Sequence, residues 1–246
     1  MDEKFKKPET LYKYVSFKAA EAIISGNSLK FTNPQTFNDP FDCDIAGVYF
    51  EINERIDPLV RFEINKMKEK FPADFLTKER LERAYKESVT NKLLKTAITC
   101  FSLDGNNDLM WAHYANDLTG VCLVFNNNMD EKKRFIDIDI NIEGVVSYDF
   151  PDNFNYCENK FLGSYKLFIT KAKKWGYEKE YRTVIYNEGT YKFNPLFLSK
   201  VIFGLRMNNE NKLKLIKACE VPEYGHVKFA SAEKVDSRIE YKDVIR

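Results

Sequence analysis

The sequence is poor in the residues that build metal centres and disulfide frameworks. It holds only two histidines, His113 and His226, and its five cysteines (Cys43, Cys100, Cys122, Cys157, Cys219) lie far apart with no CxxC pair. An odd, scattered set argues against a disulfide scaffold, and without a Cys/His cluster no metal site is expected. The ten glycines form no GxGxxG, GxxxxGK[ST] or GxSxG pattern, so the common dinucleotide, P-loop and hydrolase signatures are missing. No apolar run approaches the roughly 18–20 residues needed to cross a bilayer. The opening MDEKFKKPET lacks the apolar core of a secretory signal, so a cytoplasmic location with no membrane partner is the expectation. Neither sign of charge dominates: 38 Lys and Arg face 37 Asp and Glu. Strong non-specific nucleic-acid binding, which needs an excess of basic side chains, is not expected.

What is present is an ordinary apolar fraction, 44%, with 15% of the chain aromatic, enough for one folded domain over 1–246. LYKYV (11–15) reads as a first strand, and Ser16 caps a helix whose Ala19, Ala20, Ile23 and Ile24 share a face, with Gly26 as its stop. SLKFT is a second strand, and NPQTFNDPFDCD has the prolines and Asn/Asp of tight turns. Residues 51–95 read as a helical-hairpin insertion: Asp57 and Pro58 open one helix, and a second starts near Thr77. Further strands are expected at TAITCFS, GVCLVF, EYRTVIY, TYKFN, KVIFG, HVKFASAE and RIEYKDV, with RFIDIDI and EGVVSYDF as antiparallel neighbours. A short helix is expected over 108–117 with Asp108 as cap, one over 157–174, and one at NENKLKLIKAC. The elements lack a regular βαβ rhythm, so the class is α+β, with a mixed or antiparallel central sheet and flanking helices.

Four segments crowd polar and aromatic residues beyond what a fold requires: LYKY (11–14), FNDPFD (37–42), LMWAHYANDLTGVCLVF (109–125) and KAKKWGYEKEYR (171–182). If the chain is extended from Glu178 to Tyr186, then Glu178, Glu180 and Arg182 share one face. An ion pair of Arg182 with Glu180 or Glu178 on a solvated face accounts for the same pattern. Asn38, Asp39 and Asp42 are equally ordinary turn formers, and Trp111, His113 and Tyr114 can be core. A nucleophile–base pair of Cys100 and His113 is conceivable, but a mid-strand cysteine is usually a small hydrophobe.

Taken together and in order, LYKY, FNDPFD, CFS (100–102), MWAHYA with GVCLVF, VSY (146–148) and KWGYEKEYR resemble the bacterial domain-of-unknown-function family 2971, from about Leu11 to Gly204. A second resemblance is to ADP-ribosyltransferase folds, through a polar-aromatic first strand, a central strand ending in Ser and a late strand opening with Glu-x-Glu. It implies an ADP-ribosyltransferase-like sheet, NAD as substrate, Glu180 as the catalytic carboxylate on the nicotinamide ribose, Glu178 orienting an acceptor nucleophile, and Ser102 supporting the site. With it go His113 as a further catalytic candidate, Tyr12, Trp111 and Tyr114 as stacking surfaces, Asn38 and Asp39 as binding residues, and Lys13 or Arg182 against the pyrophosphate, Arg182 equally able to hold Glu180. The acceptor would be a macromolecule, in a phage-defence or toxin-like setting. The competing expectations are a catalytically inert nucleotide- or protein-binding domain and an RNA- or DNA-directed effector.

Overall fold

The computed structural model describes residues 7–72, 76–128, 134–149 and 154–245. Strand β1 (Thr10–Val15) leads into helix α1 (Phe17–Gly26), opened by the Ser16 hydroxyl accepting the Ala19 N–H. Gly26 is the last helical residue, not the stop. Asn27, in the left-handed region at φ 46°, reverses the chain, a conformation asparagine tolerates better than most residues. Strand β2 (Ser28–Phe31), a turn of 3-10 helix at Pro34–Thr36, and the short β3 (Val48–Tyr49) follow. Asp57 caps α2 (Pro58–Lys68) and Thr77 caps α3 (Lys78–Leu93). This pair packs around its own apolar cluster, in which Val60, Ile64, Leu81, Tyr85 and Val89 meet Val48, Phe50, Tyr156 and Cys157.

The chain continues through β4 (Thr96–Ser102), α4 (Asp108–Tyr114), β5 (Val121–Asn126), β6 (Ile142–Val145), β7 (Phe154–Asn155) and α5 (Lys160–Phe168). Then come β8 (Glu180–Tyr186), β9 (Gly189–Lys192), β10 (Leu198–Phe203), α6 (Asn209–Ala218), β11 (Lys228–Val235) and β12 (Arg238–Val244). Three further expectations need correction. The cap of α4 is Asn107, whose side chain accepts the Leu109 and Met110 N–H groups, one residue before Asp108. The helix expected over 157–174 covers only Lys160–Phe168, and a separate 3-10 segment, Lys173–Glu178, follows it. Residues 134–140 do not pair with the following strand: β6 pairs with β8, while Ile136 makes an isolated bridge to Phe193.

The main sheet has eight strands in the order β12-β11-β10-β5-β1-β4-β8-β6, antiparallel throughout except between β10 and β11. Five of the six residues of β5 are buried, as its continuous apolar run requires. One large cluster, with Leu11, Phe101, Leu123, Phe125, Tyr181 and Val201 in it, anchors α1 and α6 against the sheet. No helix among the described residues is long and apolar enough to cross a membrane.

The sheet is nearly parted at its middle. β1 pairs with β5 over six residues but meets β4 at a single pair, Tyr12 with Ser102. Further along β4, Thr32 exchanges backbone hydrogen bonds with Ile98 (3.1 and 2.9 Å). Between these points no strand among the described residues serves the Cys100 carbonyl. The Lys13 ammonium donates to it at 2.7 Å and to the Thr99 hydroxyl at 3.0 Å. A buried carbonyl left without a donor is costly, so a side chain stands in for a missing rung.

The turn from α4 to β5 is equally constrained. Asn116, Asp117 and Leu118 all lie in the left-handed region (φ 49°, 53° and 66°), and Gly120 passes so close to β1 that a methyl group there would stand 2.2 Å from the Val15 carbonyl oxygen. The Ala115 carbonyl oxygen would stand at 2.8 Å, and since both contacts are backbone, neither can yield cheaply. Gly120→Ala is expected to cost about 2–3 kcal/mol, read as a lowered urea midpoint with unchanged slope.

Candidate functional site: two glutamates at the parting of the sheet

The head of β8 is set by a kink. Lys179 adopts a left-handed conformation (φ 44°), ending the 3-10 segment and starting the strand at Glu180. Glu178 is therefore not part of the strand, and simple alternation does not place it beside Glu180. The kink does, and the backbone is clamped there. The Ser102 hydroxyl donates to the Glu178 carbonyl (2.7 Å), the Leu103 N–H to the Lys179 carbonyl (2.8 Å), and the Glu180 N–H to the Tyr148 hydroxyl (2.7 Å).

The two carboxylates share one ammonium. Lys171 Nζ donates to Glu178 Oε2 at 2.5 Å and Glu180 Oε1 at 2.7 Å, lies 3.7 Å from Asp42 Oδ2, and sits over the Trp175 ring. Arg182 Nε donates to the other oxygen of Glu180 (2.6 Å), while its fork grips both oxygens of Asp42 (2.8 and 2.6 Å) and the Phe168 carbonyl (2.9 Å). Bidentate pairing of this kind is the strong, directional use of a guanidinium. Asp42 thus reaches across to β8 and does not merely cap its own turn. All five groups, three acids and two bases, are buried.

Three minus two leaves one negative charge, and the protein resolves it on one residue. Burial alone would raise Glu180, but the Arg182 charge, a hydrogen bond from Glu178 and the Lys171 charge hold it well below the ordinary carboxylate range. Glu178 is pushed up to about 7 by burial and by its hydrogen bond to and repulsion from Glu180, against the opposing effects of Lys171 and Tyr114. With a proton on Glu178 the charges of the cluster cancel. The consequence for stability has a sign. Glu178, raised above 4.5, contributes stability that is complete below 4.5 and lost as pH rises through about 7. Glu180, lowered below 4.5, contributes stability present above 4.5 and lost on acidification. Glu178→Gln is expected to remove the first loss, so the Tm of the variant gains on wild type as pH goes from about 5 to about 8. A constant Tm difference across that range contradicts this assignment.

Beside the glutamates lies a cavity of about 460 Å³, in the parting between β1 and β4. Tyr12, Lys13 and Tyr14 supply one wall, Thr99 to Ser102 the other, and Phe37, Asn38, Met110, His113 and Tyr114 close over it, with Lys171, Glu178 and Glu180 at one end. The volume is in the range of small-molecule pockets. Of the residues singled out in the sequence, Tyr12, Lys13, Asn38, Ser102, His113, Tyr114, Glu178 and Glu180 meet here. Three do not line the cavity. Arg182 is fully buried behind Glu180 and does not face a ligand. Trp111 is also fully buried, edge-on to Tyr14, with its indole N–H donating to the Tyr241 hydroxyl (3.0 Å). Asp39 is buried beside the Phe41 N–H, 4.0 Å from Lys174.

His113 is exposed and shares a hydrogen bond with the Tyr177 hydroxyl (3.0 Å). Burial pushes the Cys100 thiol up to about 12, so it is no thiolate nucleophile near neutrality. Lys171 was not singled out by sequence reading, although it lies in one of the crowded segments. Its spacings of seven and nine residues to Glu178 and Glu180 put all three on one face of neither a helix nor a strand. Among the described residues, no group of three or more His, Cys, Asp or Glu side chains is arranged to hold a metal ion.

No curated protein and no solved structure matches the chain. A family model does match over residues 110–183, from α4 to β8. That stretch, which carries Tyr114, Lys171, both glutamates and Arg182, is similar to the family described as Protein of unknown function (DUF2971).

Proposed function

We propose that the protein is an enzyme of ADP-ribosyltransferase type, using NAD to modify a macromolecular acceptor. One observation carries the reading: Glu180, held ionised by Arg182 and Lys171, stands at the end of an aromatic-walled cavity with a second, protonatable carboxyl beside it. Breaking the nicotinamide–ribose bond builds positive charge on the sugar, as in glycoside hydrolysis. A fixed carboxylate stabilises that charge more than it stabilises the ground state, which is the condition for catalysis. The rings of Tyr12 and Tyr114 offer stacking surfaces for nicotinamide or adenine, and Lys30, at the same cavity, offers a charge to the pyrophosphate. An ADP-ribosyltransferase-like architecture is part of this proposal, supported by the polar-aromatic β1, the Ser102 end of β4 and the Glu-x-Glu that leads into β8. So are a cytoplasmic setting and a defence or toxin-like role.

The test is nicotinamide release from NAD by the purified protein, with labelled ADP-ribose followed onto protein, DNA and RNA acceptors. Failure to release nicotinamide with every acceptor class overturns the reading. A second reading is favoured by one observation: both oxygens of Glu180 are already engaged, by Lys171 and Arg182. On that reading the domain binds a nucleotide without turning it over, and NAD raises the Tm with no nicotinamide released.

A further inference from the structure

Glu178 stands at one end of the cavity but shows it almost none of its own surface. Its side chain is 1% exposed. Oε2 is closed off by Lys171, and Oε1 accepts the hydroxyl hydrogen of Tyr114. That hydroxyl stands at the cavity wall, where it also accepts a long hydrogen bond from the exposed Asn38 amide (3.4 Å). The phenol thus links the buried carboxylate to the space a ligand would fill.

We propose that Tyr114 is a catalytic residue that relays the acceptor's proton to Glu178, and that the acceptor is accordingly a group bearing a proton, a hydroxyl or an N–H, rather than a carboxylate. This rests on the transferase reading above. A carboxylate acceptor has no proton to lose and requires no base; a hydroxyl does, because it is a poor nucleophile until its proton leaves. In the step, the acceptor oxygen or nitrogen bonds to the ribose C1′ as the C1′–nicotinamide bond breaks, and the electron pair of that bond departs with neutral nicotinamide. The acceptor's proton passes to the Tyr114 oxygen while the phenol's own proton passes to Glu178 Oε1, so Tyr114 ends as it began and Glu178 ends protonated.

The surroundings fit a relay. Burial, then the hydrogen bond to Glu178, raises the Tyr114 phenol above its ordinary value, so it holds its proton near neutrality and passes one on only as it receives another. The titratable groups facing Glu178 are Tyr114 from α4, Lys171 from the segment after α5, and Glu180 from β8. Asp42 and Arg182 stand behind these, and Tyr177 and Tyr148 lie close by.

Tyr114→Phe keeps the ring and removes the relay. It is expected to lower transfer to a hydroxyl or N–H acceptor about a hundredfold, to leave the NAD-induced Tm shift unchanged, and to abolish the rise of kcat as Glu178 ionises. A proton inventory on the wild type is the second measurement: the rate should curve against D2O fraction, as two protons move together. Wild-type rates and pH profile in Tyr114→Phe, or a linear inventory, overturn the relay while the transferase reading stands. If the wild type releases no nicotinamide, the transferase reading falls and the relay with it.

Discussion

Glu180→Gln is expected to lower NAD turnover about a thousandfold, the magnitude associated with losing a preorganised charge aimed at a developing one. The loss should fall on kcat rather than KM, because the ribose is neutral in the ground state and cationic only as the bond breaks. The variant should still fold. Removing the Glu180 charge leaves Asp42 and Glu178 facing Lys171 and Arg182, two against two, so the cluster balances without a proton on Glu178. The same arithmetic gives a second readout. Burial raises Glu178 most and Glu180 adds to it, so in Glu180→Gln the Glu178 titration near 7 moves down. A folded variant that turns NAD over at the wild-type rate removes Glu180 from the chemistry.

Arg182→Met is expected to cost about 3–5 kcal/mol of folding stability, because it strands two buried carboxylates whose charges the guanidinium now meets. Asp42 would lose both of its short contacts and Glu180 one of its two. Arg182→Lys is not expected to restore the loss, since a single ammonium cannot span Asp42, Glu180 and the Phe168 carbonyl as the fork does. Chemical denaturation measures both; a loss below about 1 kcal/mol for Arg182→Met would mark the cluster as solvated, like a surface pair.

Much of this architecture can be read from local sequence. The caps at Ser16, Asp57 and Thr77 lie where hydroxyl and carboxylate residues precede apolar periodicity, and the burial of β5 follows from its unbroken apolar run. What resists reading is whatever depends on a meeting of distant segments. Asp42 looks like a turn former because its partner is 140 positions away. Trp111 looks like a stacking platform because nothing local reveals Tyr14 and Tyr241 around it. Lys171 goes unremarked because a 3-10 segment and a left-handed residue, not a regular repeat, bring it to the glutamates. Strand alternation puts Glu178 and Glu180 on one face, and the resemblance gives them their roles, yet they meet through a kink at Lys179.

The lone rung between Tyr12 and Ser102 divides the sheet into a five-strand leaf and a three-strand leaf. The acidic pair rides on the smaller leaf and the tyrosines of β1 on the larger. A molecule lodged in the seam would bridge the leaves like a crossbar, so any widening of the seam changes the reach between aromatic wall and carboxylates directly. In such an arrangement the spacing of the leaves, more than any single side chain, sets what size of guest is gripped.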